Sequence, residues 1–498
     1  MEDHALPVMI VPGATRVDQV SEVELKLELA PGDLPRLRES PLLQGEEQTS
    51  DRLVSHYYDT SDRRLHAAGY MLRVRRSGSG TVQTVKQVGG AAGGLFVRPE
   101  WETPIKSERP VIARGDGLLG DLVDPAELKR VFTTDVLRET RDLAVGGARI
   151  EVALDEGTVR ARKARGPLCE LELELKGGPP EPLFALAREL NALVPLRLGV
   201  RSKSERGFAL ADGEAGGAVK AEPILLDHTM DACTGFAAIA NACIRHFRLN
   251  EPLVLERGDD ETLHQARVAL RRLRSAFSSF KPLLAGDARA DLFKQESRWL
   301  AGMLGHVRDL DVLVPKIEGD DRERLVEARA VAMGEARIAL DSLRARQLMI
   351  DLAEWIAVGA WRMRPAEPML ANGSIVELAA DLLDRHRRRL KKRGQGLAEL
   401  GDHDRHLARI EAKKLRYATE FFACLWPSRR ARARHEAFLG ALEKLQDHLG
   451  VLNDVAVAAA LLERHGIAAP KGGQGVGKRL RKAEKAFDKL MMVKPFWD

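Results

Sequence analysis

The sequence predicts an α+β protein in two parts, a first half built of β-strands and an all-α second half. Three observations carry this. From Glu22 to about Leu210, charged and apolar residues alternate with a period of two. From about Leu225 the period becomes helical, with Ala, Leu, Arg and Glu dominating. The second half also repeats its own motifs 142 and 145 residues apart. The join, Ala211-Asp-Gly-Glu-Ala-Gly-Gly-Ala218, is small and polar, as linkers are. The expected boundaries are 20–210 for the strand domain, 211–224 for the linker and 225–498 for the helical domain, and the length of 498 residues accommodates them.

Glu22 to Leu29 alternates without a break, and Leu72–Arg75, Thr81–Val88, Phe96–Glu102, Arg149–Leu154 and Glu170–Lys176 behave likewise. Gly- and Pro-rich joints separate them at Ser77–Gly80, Gly89–Gly94, Arg165–Pro167 and Gly177–Pro182. Short helices are expected near Pro31–Glu39, Pro125–Val131 and Pro182–Leu193. Amphipathic helical runs cover 228–248, 259–284, 288–304, 320–350, 375–395, 402–425, 432–448, 453–465 and 477–491. The Ala-rich stretch Val455–Leu462 is the most apolar run and fits a buried helix.

At 44% hydrophobic and 30% charged, the chain can build cores, which excludes wholesale disorder. Residues 1–224 hold 31 basic and 35 acidic side chains, and residues 225–498 hold 47 and 38. The basic excess belongs to the second half, which points to an anionic partner there. Four cysteines without paired spacing argue against a disulfide framework or a thiolate zinc site. The acidic N-terminal residues do not resemble a signal peptide, and no run is long and apolar enough to span a bilayer, so a cytoplasmic protein without a membrane partner is expected.

The charged positions of the strands carry the functional signal. Glu170, Glu172 and Glu174 lie on one face, where like charges repel unless a cation relieves them. Other strands carry bases at the same spacing, at Arg73, Arg75, Lys86 and Arg98, the last beside Glu100 and Glu102. Closing such a sheet with this face inward gives a lumen holding acids and bases. Carboxylates suit Mg²⁺ or Mn²⁺, bases suit phosphates, and the two together suit a metal-bound polyphosphate.

Glu22-Val-Glu24-Leu-Lys26 resembles the ExExK motif of the CYTH superfamily, the triphosphate tunnel metalloenzymes. The resemblance continues through Tyr57–Thr60, Arg73/Arg75, Lys86, Arg98–Glu102, Arg138, Glu151–Gly157, Glu170–Lys176 and Ser202-Lys203. It implies an antiparallel eight-stranded β-barrel, or tunnel, that hydrolyses triphosphate to diphosphate and phosphate with Mg²⁺ or Mn²⁺. In that picture Glu22, Glu24, Glu170 and Glu172 are the metal-side carboxylates, and Glu22 or Glu24 orients water. Lys26, Arg73, Arg75, Lys86, Arg98, Arg138 and Lys203 clamp phosphate, while Glu100, Glu102 and Glu174 are supporting acids. Glu170, Glu172 and Glu174 share a face, and the first two are favoured. ATP cyclisation and a binding-only tunnel are the competing readings.

In the second half, His264, Arg267, Arg271 and Arg274 fall on one third of a helix circumference, and His406, Arg409, Lys413 and Arg416 repeat the geometry. Acids at i+4 that would neutralise them are expected to be missing. Further bases lie at Arg385, Arg387–Arg389, Lys391–Arg393 and Lys478–Lys489. This half resembles the CHAD domain, down to its closing Lys494-Pro-Phe-Trp497. The resemblance implies binding of long-chain inorganic polyphosphate on these eight residues, and association with polyphosphate granules. Asp309 and Asp454 recur at equivalent places, where pairing with a neighbouring Arg is favoured over metal ligation. Nucleic acid competes as a partner, but aromatics for base stacking are few. Gly472–Lys478 approaches a phosphate-binding loop, but Arg479 stands where Ser or Thr is needed and no strand precedes it.

Overall fold

The computed structural model describes residues 20–44, 48–87, 93–112, 119–214, 216–363, 373–468 and 476–498, with the backbone alone at 20–22, 98, 363, 456 and 476. Two compact units form. The first contains the chain up to Gly217 together with Asp341–Val358, and the second contains Ala218–Leu340 and Gly359–Asp498.

The first unit is a sheet of β1 (Val20–Glu28), β2 (Gln48–Asp59), β3 (Tyr70–Ser77), β4 (Gly80–Gln87), β5 (Leu95–Pro104), β6 (Lys129–Val145), β7 (Ala148–Ala161), β8 (Ala164–Gly177) and the two-residue β9 (Arg197–Leu198). Hydrogen bonding runs β5-β4-β3-β2-β6-β7-β8-β1, and β1 also pairs with β5 over Val20–Leu25. Eight antiparallel strands thus close on themselves, with β9 appended to β1 at Leu27 and Glu28. The alternation in β1 and β8 explains the closure. Leu25, Leu27, Leu171 and Leu173 are fully buried on the face opposite the charges. Each such leucine contributes about 1.5–3 kcal/mol on burial. The outer wall is covered by α1 (Glu181–Leu193), whose Leu183, Phe184, Ala187 and Leu190 are fully buried.

A second cluster seats α2 (Lys203–Asp212). Phe132 stacks on Tyr57 at 4.2 Å between ring centroids and meets Phe208 edge-on at 5.2 Å. A capping box starts α2: Ser202 accepts from the Glu205 backbone N–H, and the Glu205 carboxylate accepts from that of Ser202. Lys203 is therefore fixed as the first helical residue. Gly207 lets the helix touch the wall, since a Cβ there would sit 2.0 Å from the Phe132 ring.

The second unit contains α3 (Ala232–Glu256), α4 (Asp260–Ser279), α5 (Ala288–Leu313) and α6 (Asp320–Asp341, its last residue counted with the first unit). After α7 (Leu343–Val358), which belongs to the first unit, come α8 (Ile375–Gly394), α9 (Asp402–Phe421), α10 (Arg429–Arg464) and α11 (Val476–Met492). The closing segment is anchored: Trp497 Nε1 donates to Asp384 at 3.0 Å, and Phe496 packs on Trp426, His435 and Phe438.

Several expectations are corrected. The run 320–350 is two helices, because Ser342 interrupts it and its hydroxyl caps the next by accepting from the Ala345 N–H. The runs 432–448 and 453–465 are the single helix α10. Within it Val455 and Val457 are exposed, and among the described side chains of the Ala-rich stretch only Leu461 and Leu462 are buried, so that stretch is not a buried helix. Its small side chains suit helix formation without needing cover on every side. Pro125–Val131 holds only a capped 3₁₀ turn at Pro125–Glu127, because the β-branched residues that follow join β6. Strands β2 and β6, whose alternation is less regular, fall outside the strands expected from the sequence. Val88, most of the Gly89–Gly94 joint and Gly472–Gly475 lie outside the described residues.

Replacing Gly207 by Val is expected to push α2 off Phe132 and cost about 1–3 kcal/mol, the usual range for overpacking. Urea unfolding followed by circular dichroism checks it; an unchanged midpoint removes the close approach as a constraint.

Candidate functional site

The strand register builds the lumen in rows. Arg138 on β6 lies opposite Asp155 on β7, Asp155 opposite Glu170 on β8, and Glu170 opposite Glu28 on β1. The next rows on the same face are Ala153–Glu172–Lys26 and Glu151–Glu174–Glu24. Cross-strand neighbours this close must interact.

Asp155, Glu170 and Glu172 are buried and bring carboxylate oxygens within 4.8 Å of one another. Cations hold them together. Lys26 Nζ lies 2.9 Å from Glu24, 3.1 Å from Glu170 and in direct contact with Glu172. Lys203 Nζ lies 2.6 Å from Asp155 and 2.7 Å from Glu172, and contacts Glu170. Arg138 donates to both oxygens of Asp155, at 2.7 and 2.6 Å, and to Glu172. Burial pushes the Glu172 carboxyl up, but Lys203, Lys26 and Arg138 outweigh it and hold the group well below the usual range. Burial likewise opposes the charge on Lys26, but Glu170, Glu172 and Glu24 raise its pKa well above the ordinary value.

The β3–β5 wall is a second network. Lys86 Nζ lies 2.6 Å from Glu100. Arg73 donates to the Thr84 hydroxyl at 2.9 Å and lies 3.5 Å from both Glu100 and Glu102. The Thr84 hydroxyl in turn donates to Glu102 at 3.0 Å. Arg75 differs from its neighbours. It has no ion pair among the described residues, and its Nε is buried without an acceptor. Burial, then Arg73 and Arg138, lower its pKa to about 10. Between the walls is a cavity of about 490 Å³, lined by Lys26, Arg73, Arg75, Lys86, Arg138 and Lys203 together with the facing acids.

Of the residues expected to act, Glu24, Lys26, Arg73, Arg75, Lys86, Glu100, Glu102, Arg138, Glu172, Glu174 and Lys203 line this cavity, and Glu170 sits beneath it with Asp155. Glu174 lies apart from the carboxylate trio, 2.7 Å from Lys176. The Glu22 and Arg98 side chains lie outside the described residues, although their backbones pair across β1 and β5. Asp155 and Thr84 were not among the expected residues. Parity could have found Asp155, since it shares a face with Glu151. Thr84 looks like ordinary strand filling, and only its contacts with Arg73 and Glu102 mark it.

In the second unit the two basic faces meet. Lys413 on α9 feels Arg409 and Arg416 from its own helix and Arg267 and Arg271 from α4. Burial and these four guanidiniums lower its pKa to about 6. The Nε atoms of Arg271 and Arg409 are buried without an acceptor. Asp309 lies 3.8 Å from Arg267, and Asp454 favours the charge on Arg409, so the repeated acids attend the repeated arginines. His264 is lowered by burial and Arg271, Arg274 by burial, Arg298 and Arg271, while His406 Nδ1 is 3.0 Å from the Asn453 side-chain oxygen. The expectation that neutralising acids are missing at i+4 fails at Arg416, which lies 3.2 Å from Glu420. Glu420 also binds Arg272, a buried residue sequence reasoning passed over, packed 5.0 Å from the Phe421 ring.

A closed antiparallel tunnel with an acid-and-base lumen, joined to a repeated helical unit, defines a two-module protein. Residues 21–208 match the CYTH domain and residues 238–463 match the CHAD domain, so the chain is a CYTH domain followed by a CHAD domain. The chain is 32% identical over 197 residues to an inorganic triphosphatase of Haemophilus influenzae, a match covering 38% of this chain and 55% of that protein. The chain thus spans about half the length of that relative. Among solved structures, it is similar to the CHAD domain from the plant Ricinus communis, at 29% identity and TM-score 0.45, over 55% of this chain and 92% of that one. PptA from Streptomyces chartreusis is similar at 18% identity and TM-score 0.35, over 53% of this chain and 99% of that one.

Between pH 6 and the ordinary 10.5, an unfolded chain binds a proton at Lys413 that the folded chain does not. This residue's contribution to stability therefore rises with pH across that window. Lys413→Met is expected to raise the melting temperature near pH 7, with the gain shrinking toward pH 10. Calorimetric scans at several pH values check it, and a pH-independent gain contradicts it.

Proposed function

We propose that the CYTH unit is a Mg²⁺- or Mn²⁺-dependent inorganic triphosphatase and that the CHAD unit binds long-chain inorganic polyphosphate. One observation carries the first part: Arg75, half-buried and with its Nε buried without an acceptor, has no ion pair among the described residues and lies between two charge networks. A partly desolvated guanidinium of that kind favours an anion, and a cavity of about 490 Å³ has room for a short phosphate chain. The likeness to the Haemophilus influenzae inorganic triphosphatase supports triphosphate as that anion.

The donor set fits a hard cation. Asp155, Glu170 and Glu172 offer only oxygens, and Glu24 adjoins them through Lys26. Glu22, Glu24, Glu170 and Glu172, with Asp155, would hold the ion. Once bound, it supplies neutralisation of phosphate charge. Arg73, Arg75, Lys86 and Arg98 hold the phosphate chain from the β3–β5 side, while Arg138, Lys26 and Lys203 hold it from the carboxylate side. Glu100 and Glu102 fix Arg73 and Lys86. Glu24, with 12% of its side chain exposed, orients the water that attacks the terminal phosphorus in line, and diphosphate leaves.

In the CHAD unit, His264, Arg267, Arg271, Arg274, His406, Arg409, Lys413 and Arg416 form the polyanion surface. The support is the convergence of both basic faces on Lys413. This activity would bring the protein to polyphosphate granules.

Glu172→Gln and Glu24→Gln are each expected to lower Mg²⁺-dependent phosphate release from triphosphate at least 100-fold, the scale of lost positioning and electrostatic stabilisation. A release panel with triphosphate, longer polyphosphate and ATP tests this. Wild-type turnover in either variant removes that residue from the chemistry, and cyclic nucleotide from ATP overturns the assignment. Replacing Arg267, Arg271, Lys413 and Arg416 together by Ala is expected to abolish retention on long-chain polyphosphate, and unchanged retention refutes the basic surface.

A further inference from the structure

β1 closes the strand ring, and Lys26 sits where its partners change. Pairing of β1 with β5 ends at Leu25, and pairing with β9 begins at Leu27. Between them, the Lys26 N–H donates to the Gly94 carbonyl at 3.1 Å, and the Lys26 carbonyl accepts from the Gly199 N–H at 2.7 Å. Gly199 also lies against the lysine side chain, since a Cβ there would stand 2.8 Å from Lys26 Cγ. Leu198, fully buried, presses on the other clamp, because a Cβ at Gly94 would stand 2.2 Å from its methyl carbon. A few residues further on, the chain supplies Lys203 as the first residue of α2. The segment Leu196–Lys203 therefore sets both lysines that neutralise Glu170 and Glu172.

This segment contains only the two-residue strand β9, so what holds its ends decides its place. The outer anchor is Asn191 near the end of α1, with 1% of its surface exposed. Its side-chain oxygen accepts from the Leu196 N–H at 3.1 Å and from Arg346 Nε at 3.0 Å, while its Nδ2 has no hydrogen-bond partner among the described residues. Arg346 is a buried residue of α7. It contacts the Asp341 carbonyl, and the Asp341 carboxylate contacts Arg197 of β9. Thus α7, which lies within the sequence matching the CHAD domain but belongs to the first unit, reaches the seam of the tunnel. A second link joins the same two helices through residues outside the segment: Arg188 lies 3.0 Å from Asp351 and 3.1 Å from Glu354.

We propose that Arg346 and Asn191 are positioning residues of the tunnel: they brace Leu196–Lys203 from outside and so hold Lys26 and Lys203 where the phosphate chain is gripped. This inference rests on the triphosphatase reading above. The Asn191 oxygen is the shared acceptor, and Arg346 supplies a charged donor to it, the stronger kind of hydrogen bond. Without Arg346, Asn191 loses the bond that orients it toward Leu196, and β9 keeps two rungs on β1. Gly199 and Lys203 then shift relative to the carboxylates. A misplacement of that size in a clamp far from its cause weakens the grip on substrate.

The test uses the full-length protein with triphosphate and Mg²⁺ or Mn²⁺. In Arg346→Met and in Asn191→Leu, KM for triphosphate is expected to rise about five- to tenfold, and no further when the two are combined. Asn191→Asp keeps the oxygen that accepts both bonds and should keep the wild-type KM. Arg188→Met removes the other link between α1 and α7 and should lower the melting temperature while leaving KM unchanged. Loss of folded protein lowers kcat alone, so it cannot imitate a rise in KM. A wild-type KM in Arg346→Met overturns the proposal, and so does an equal rise in Arg188→Met, which would make the effect one of general packing. Hydrogen–deuterium exchange read by mass spectrometry gives a second measure that needs no turnover. Peptides covering 196–203 should exchange faster in Arg346→Met than in the wild type or Arg188→Met, and unchanged exchange overturns the brace. If the wild type releases no phosphate from triphosphate, the triphosphatase reading falls instead, and exchange still decides whether Arg346 holds the segment. If Asn191→Leu does not fold, the Arg346 and Arg188 variants decide by the same two measures.

Discussion

Charge buried against like charge is the constraint on which the first unit depends. At about 4 Å two like charges cost about 4 kcal/mol at an effective dielectric near 20, and β7, β8 and β1 bring seven carboxylates of the described side chains onto one inward face. The fold tolerates this because Lys26, Lys203 and Arg138 reach the same spot from three different elements. Two of those elements are strands of the ring. The third is α2, whose capping box and glycine contact fix where Lys203 begins. The lumen is therefore neutralised by groups far apart in the chain, and barrel closure is what brings them together.

The matched networks leave a vectorial lumen. Carboxylates and their lysines occupy the β7–β8–β1 side, Arg73 and Lys86 with their glutamates occupy the β3–β5 side, and Arg75 has no ion pair among the described residues. A phosphate chain entering here would replace ion pairs already made, so desolvation is largely met before it arrives. That is the physical sense of preorganisation.

The second unit follows a related logic with a different outcome. Here the repeat places two basic helix faces together without enough acid to balance them. Carboxylates at Asp309 and Asp454 offset one arginine in each repeat, and the remaining excess falls on the buried Nε groups of Arg271 and Arg409 and on Lys413, whose pKa burial and the arginines lower. One module thus pairs most of its described charges, and the other gathers more basic than acidic groups on two facing helices.

Alternation at Glu22–Leu29 and Glu170–Lys176 was enough to assign strands with one charged face, because period two places those side chains together whatever surrounds them. Helical spacing likewise collected His264, Arg267, Arg271 and Arg274, and the repeat identified their counterparts. Strands β2 and β6 were less legible, since their inward positions mix polar and apolar residues. Tertiary structure alone decided which carboxylates converge, drawing Asp155 in and leaving Glu174 beside Lys176. It alone brought α4 and α9 face to face and joined the segment Asp341–Val358 to the strand unit. Local sequence sets the direction of a side chain through the geometry of its own strand or helix. Which distant charge it meets depends on register and closure, and those are properties of the whole fold.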